Sequence, residues 1–166
     1  MSPTLLFSTI EVTRQAFYRT SLTYAIVNLK PIVPGHVLVI PTRPVRRLAD
    51  LNEPELTSLM RAVQRVGGVI EKAYNADGLT VACQDGPAAG QSVPHVHFHL
   101  LPRKLSGDRF SGANNDSIYP ALEKSEAELR PEPLRVDADD NRAPRTMKEM
   151  EEEATWLRGL FTDGEV

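Results

Sequence analysis

The run His95-Val96-His97-Phe98-His99-Leu100-Leu101 alternates between imidazole and apolar side chains, with Pro94 before it and Pro102 within one residue of its end. Period-two alternation suits an extended strand, because successive side chains of a strand point to opposite faces. Val96, Phe98 and Leu100 then form a core-facing set, with His95, His97 and His99 on the other face. Proline donates nothing to a ladder, so Pro94 and Pro102 mark where the strand enters and closes.

The remaining apolar runs extend this sheet. Ala16 to Tyr18 and Leu22 to Asn28 read as strands; Tyr24, Ile26 and Asn28 share one face, and Ala25, Val27 and Leu29 the other. His36 to Ile40 and Leu79 to Gln84 read as two more. Lys30-Pro-Ile-Val-Pro-Gly35 and Asp85-Gly-Pro-Ala-Ala-Gly90 are tight connectors bounded by Pro and Gly. Several connections are too short for a βαβ crossover, so the strands pair as an antiparallel sheet of about five strands and the class is α+β.

Asn52 to Tyr74 predicts the one long central helix, with Leu56, Leu59, Met60, Val63, Gly67, Ile70 and Tyr74 as its apolar stripe. Asn52 caps it, with Glu55 at the capping-box position. A C-terminal helix over 146–162 follows from the Thr146/Glu149 box and the stripe Met147, Met150, Ala154, Leu157 and Phe161. Residues 1–122 thus read as the functional body. Residues 123–145, charged and proline-rich, read as a polar loop insertion, and 146–162 as a helix packing back on the body.

Composition narrows the function. With 19 basic and 22 acidic side chains, the net charge of −3 argues against coating nucleic acid or an anionic membrane. One cysteine, Cys83, excludes an internal disulfide and reads as a small buried hydrophobe. No apolar window spans a bilayer and no basic n-region opens the chain, so the expected location is the cytoplasm, with the nucleus also open.

Three of the four histidines fall within five positions. Imidazoles are poor packing groups, so the ladder points to chemistry. One reading is a metal site. Alternate strand residues lie roughly 6.5–7 Å apart, so two ladder histidines can share a zinc; a third ligand must come from elsewhere, giving a zinc-dependent hydrolase on His95, His97 and His36. The other is nucleophilic catalysis on phosphorus, with one imidazole attacking and its neighbours, plus Gly90-Gln91-Ser92-Val93, donating to phosphate oxygens. Residue types alone leave both open. Arg43, Arg46 and Arg103 are further candidate donors for an anion.

The ladder resembles the signature of the histidine triad (HIT) family. Tyr24-Ala-Ile-Val-Asn28, Lys30 to Pro44, Gln84 to Val93 and Asn115-Asp-Ser-Ile-Tyr119 resemble, in order, its fragile-histidine-triad branch. The resemblance implies a HIT-like α+β fold, a homodimer, and hydrolysis of dinucleoside polyphosphates such as diadenosine triphosphate to AMP and ADP. It implies His97 as the nucleophile that carries the nucleotidyl group and His99 as a phosphate contact. His95 and His36 would orient His97 by hydrogen bonding. Asn28 would contact a ribose hydroxyl, Gln84 the substrate, and Gly90, Gln91, Ser92 and Val93 the phosphates, Gln91 through its side chain. It implies no tightly bound cofactor and no protein-held metal; Mg or Mn would arrive with the polyphosphate. A nucleotide-binding signalling module built on the same site is the alternative within this fold.

Overall fold

Seven strands and three α-helices are formed over residues 3–129 and 143–161, the part of the chain that the computed structural model describes. β1 (Leu6–Phe7) and β2 (Ile10–Glu11) make a small hairpin. β3 (Ala16–Arg19), β4 (Thr23–Val27), β5 (Val37–Pro41), β6 (Gly78–Ala82) and β7 (Phe98–Arg103) form one antiparallel sheet in the order β3-β4-β5-β7-β6. The helices are α1 (Glu53–Ala73), α2 (Ile118–Glu128) and α3 (Met147–Arg158).

The β4–β5 connector needs a glycine. Gly35 has φ +85°, and a Cβ there would lie 2.6 Å from Tyr74 Cδ2 and 2.9 Å from Pro102 Cγ. Only a residue without a side chain turns there against the end of α1. The turn sets the register Val27↔Val37 and leaves His36 at the mouth of β5.

Both faces of the sheet are covered. On one, Ala25, Val27, Val37, Val39 and Leu100 pack against Leu59, Ala62, Val66 and Ile70 of α1 and Met150, Ala154 and Leu157 of α3. On the other, Tyr24, Ile26, Leu38 and Ile40 pack against Leu5, Phe7 and Val12 from the N-terminal hairpin region. The expected alternation in β4 is therefore present.

Three expectations change. The α1 stripe is rotated: Leu56 and Met60 are 43% and 39% exposed, and the buried row runs through Leu59, Ala62, Val66 and Ile70. A small residue, Ala62, lets the helix axis approach the sheet, which a pattern weighted by side-chain size overlooks. Met147 of α3 is likewise exposed. β7 starts at Phe98, not His95; Val96 N–H donates to Val45 C=O and His95 N–H to Val93 C=O, outside the ladder. Finally, residues 123–128, expected in a polar loop, complete α2, because Ile118 and Leu122 dock on Ile32, Val33, Leu101 and Phe110. Residues 130–142 of that polar stretch, and residue 162 of the expected C-terminal helix, lie outside the described residues. No described helix is long and apolar enough to cross a membrane.

Candidate active site

All four histidines are buried, and each ring nitrogen has an assigned neighbour. Ser8 N–H donates to His95 Nδ1 at 2.9 Å, so His95 carries its proton on Nε2 and donates it to Pro41 C=O at 2.7 Å. Burial lowers the His95 pKa, the Pro41 carbonyl pulls the other way, and His97 lowers it further. His95 thus staples the N-terminal hairpin to the end of β5.

A second chain of donors fixes two more tautomers. Ile32 N–H donates to His36 Nδ1 at 3.2 Å, leaving His36 Nε2–H to donate to His99 Nδ1 at 2.9 Å. His99 then has its proton on Nε2, which lies 2.8 Å from Glu126 Oε2. Three neutral groups in line satisfy every step without conflict, and the assignment follows from the network. Burial lowers the His99 pKa, against the hydrogen bond to Glu126 that raises it. Asn28 Nδ2 lies against the His36 ring, 3.4 Å from Nδ1, while its Oδ1 accepts from Lys30 N–H at 3.2 Å.

His97 is set differently. Its Nδ1–H donates to the main-chain carbonyl of His95 at 2.7 Å, so Nε2 is the nitrogen turned toward Glu126. The Phe7 ring lies edge-on to it, centroids 5.0 Å apart. Nε2 meets Glu126 Oε2 at 2.8 Å, and Ser92 N–H donates to Glu126 Oε1 at 3.0 Å. Burial works to raise the Glu126 pKa; the hydrogen bonds from His97 and His99 outweigh it and hold the carboxyl far below its usual range.

The site therefore presents Nε2 of His97 and His99 and the N–H of Ser92 around one anionic group. Beside it lies a cavity of about 310 Å³, lined by Phe7, Ile10, Ile26, Asn28 and Leu38 and walled by Leu129. Gln84 Oε1 is buried and has no hydrogen-bond partner among the described residues.

Several expected roles shift with this geometry. His97 is oriented by the backbone of residue 95 and not by the His95 or His36 rings; His36 serves His99. The Gln91 amide is committed to the loop itself, accepting from Gly86 N–H and donating to Arg46 C=O and Val93 C=O. The N–H groups of Gly90 and Gln91 go to Pro87 and Gly86. Val93 packs in the apolar cluster, which leaves Ser92 as the loop's donor to the anion. Arg43 pairs with Glu55, and Arg103 with Thr80 and Asn115. Burial raises the Cys83 thiol to about 11, which suits a packed thiol and not a nucleophile.

His95, His97 and His36 do not converge, because both His95 nitrogens are used elsewhere. The ligand-type atoms that do converge, among the described residues, belong to His97, His99 and Glu126, all within 4.8 Å of one another. Glu126 was absent from the sequence-based site. Its signal was the spacing Ile118, Leu122, Ser125/Glu126, Leu129, a helical row hidden inside a charged stretch.

The HIT domain model matches residues 9–105. The bis(5'-nucleosyl)-tetraphosphatase (asymmetrical) of Schizosaccharomyces pombe is 46% identical, over 98% of this chain and 97% of that protein. The bifunctional bis(5'-adenosyl)-triphosphatase/adenylylsulfatase of Arabidopsis thaliana is 49% identical, over 89% and 78%. Among solved structures, the C. elegans NitFhit protein superposes with a TM-score of 0.71 at 32% identity, over 97% of this chain. This chain spans 31% of that longer protein. The Plasmodium falciparum diadenosine triphosphate hydrolase shares the fold, with a TM-score of 0.72 at 24% identity, over 100% of this chain and 89% of that one.

Proposed function

Because the chain belongs to the HIT domain family, we propose that it hydrolyses dinucleoside polyphosphates such as diadenosine triphosphate to AMP and ADP, with His97 as the nucleophile. The observation that carries this is the orientation of one imidazole. With Nδ1–H given to the His95 carbonyl, His97 turns Nε2 toward the anion position, beside two phosphate donors, His99 Nε2–H and Ser92 N–H. The adjoining apolar cavity is of a size and lining for a nucleobase, with Asn28 at the ribose end.

In this reading Nε2 bonds to the α-phosphorus, and the P–O bond to the leaving ADP breaks with its electron pair. Water then attacks the same phosphorus, the P–N bond breaks, and one water proton passes to Nε2 and on to solvent. His99 and Ser92 hold the non-bridging oxygens throughout, where charge builds up. The buried Oε1 of Gln84 accepts from a substrate hydroxyl. Magnesium or manganese enters on the polyphosphate and offsets its charge.

The names of the relatives differ between tri- and tetraphosphate, so the preferred chain length is left to product analysis. We further place a homodimer on β6, one of the two edge strands of the sheet, whose outer backbone has no pairing partner among the described residues and whose Val81 is 48% exposed. A reducing compartment, cytoplasm or nucleus, suits its single thiol.

The test is rapid quenching with labelled diadenosine triphosphate. AMP-labelled protein, acid-labile and lost in His97→Asn, with AMP and ADP as products, is the expected result. Full turnover by His97→Asn refutes the mechanism.

A further inference from the structure

We propose that helix α2 is an autoinhibitory strap, whose Glu126 carboxylate stands in for the substrate phosphate and must leave before a nucleotide can bind. The proposal rests on the phosphohydrolase reading of the site above and adds its regulation.

Three separate contacts place the helix there. The first is the carboxylate. Glu126 is fully buried, and its two oxygens take every donor the site directs at an anion: Oε2 accepts from His99 Nε2–H and shares a proton with His97 Nε2, each at 2.8 Å, and Oε1 accepts from Ser92 N–H at 3.0 Å. Ser92 Oγ–H also donates to the main-chain carbonyl of Glu126. The second contact is apolar. Leu129 packs on the cluster containing Ile26 and Leu38 and walls the cavity where a nucleobase would lie. The third is the anchor on the far side, where Ile118 and Leu122 sit among Ile32, Val33, Leu101 and Phe110. The helix therefore spans the phosphate position and the base position together.

The contact also disarms the nucleophile. His97 has already given its Nδ1–H to the His95 carbonyl. Nε2 and Oε2 at 2.8 Å need a proton between them. Whichever atom owns that proton, the Nε2 lone pair that would attack phosphorus is occupied. Opening is then an exchange of anions. A buried carboxylate without its donors is costly, as are buried donors without an acceptor. Glu126 thus leaves for water as a phosphate takes its place.

Two measurements on the full-length protein test this. The first follows hydrogen exchange of residues 118–128 in the unaltered protein, with and without AMP. A strap gains exchange when AMP binds; a lid that closes over the nucleotide loses it, and that loss overturns the proposal. The second measures carbethoxylation of His97 by diethyl pyrocarbonate, read by peptide mass spectrometry, in Glu126→Ala and Glu126→Gln. Both variants are expected to react faster, Glu126→Ala by about tenfold or more, since each lost charge-assisted contact corresponds to at least that ratio. An unchanged rate in both variants overturns the proposal. KM for diadenosine triphosphate is measured on the same samples and is expected to fall. Faster labelling without dinucleotide turnover in any form upholds the strap and refutes the hydrolase reading.

Discussion

His95→Leu separates a stapling histidine from a chemical one. The ring lies fully buried between Ser8 N–H and Pro41 C=O, at 2.9 and 2.7 Å. Leucine fills a similar volume, so no large void opens, but both backbone groups lose their partner. The Pro41 carbonyl is buried and loses about 1–3 kcal/mol; Ser8 is half-buried, water reaches it, and its loss is about 1 kcal/mol. Greater apolar contact with Phe7 returns roughly 1 kcal/mol. The net destabilisation is about 1–3 kcal/mol, and with a slope of about 2 kcal/mol/M the urea midpoint falls by roughly 0.5–1.5 M. Activity divides in a telling way. His97 is held by the main chain of residue 95, which leucine keeps, so kcat changes by less than about tenfold. The hairpin carrying Phe7 and Ile10 loosens, so KM rises. Circular dichroism across a urea series and steady-state kinetics read the two effects. An unchanged midpoint refutes the stapling argument. A collapse of kcat at constant KM shows that the imidazole itself takes part in the reaction.

Other outcomes follow from the same contacts. Burial lowers the pKa of both His95 and His99 below the ordinary 6.5. The unfolded chain then binds protons first, so their contribution is complete above about pH 6.5 and is lost as pH falls toward the folded values. Stability, read from the urea midpoint, should drop between pH 7 and 5, by up to about 1.4 kcal/mol of unfolding free energy per pH unit for each histidine, and His95→Leu should flatten that slope. Gly35→Ala pushes a methyl into Tyr74 at a positive φ and should cost about 2–5 kcal/mol, read as a lower thermal midpoint; an unchanged midpoint means that the turn relaxes freely. Thr146→Ala removes the reciprocal cap at the start of α3, where Thr146 and Glu149 bond each other's backbone N–H, and should cost about 1 kcal/mol; a neutral result would show that α3 is held by packing alone.

Much of this molecule could be read from residue order. The strands of the sheet, both helix caps and the histidine cluster follow from period and punctuation, which are local properties. What eluded sequence reasoning was non-local. Ala62 is a packing residue only because a sheet lies under it. Gln91 has the chemistry of a phosphate ligand, but the fold turns its amide onto Gly86, Arg46 and Val93. The partner that orients His97 is a carbonyl, which every residue possesses and no pattern reveals. Glu126 is one acid among 22 aspartates and glutamates. Only the docking of Ile118 and Leu122 delivers it to the imidazoles.

Arg145 pins the start of α3 to the residues that follow β4. Arg145 N–H donates to Leu29 C=O at 3.0 Å, its guanidinium donates to Asn28 C=O, and it pairs with Glu153 of α3. On the other side, Lys30 faces Glu128 at 3.9 Å. The end of α2 and the start of α3 are thus moored to the same three residues, 28 to 30. Helices α2 and α3 are therefore coupled through one short segment, and a change that shifts Asn28 at the site is felt by both helices at once.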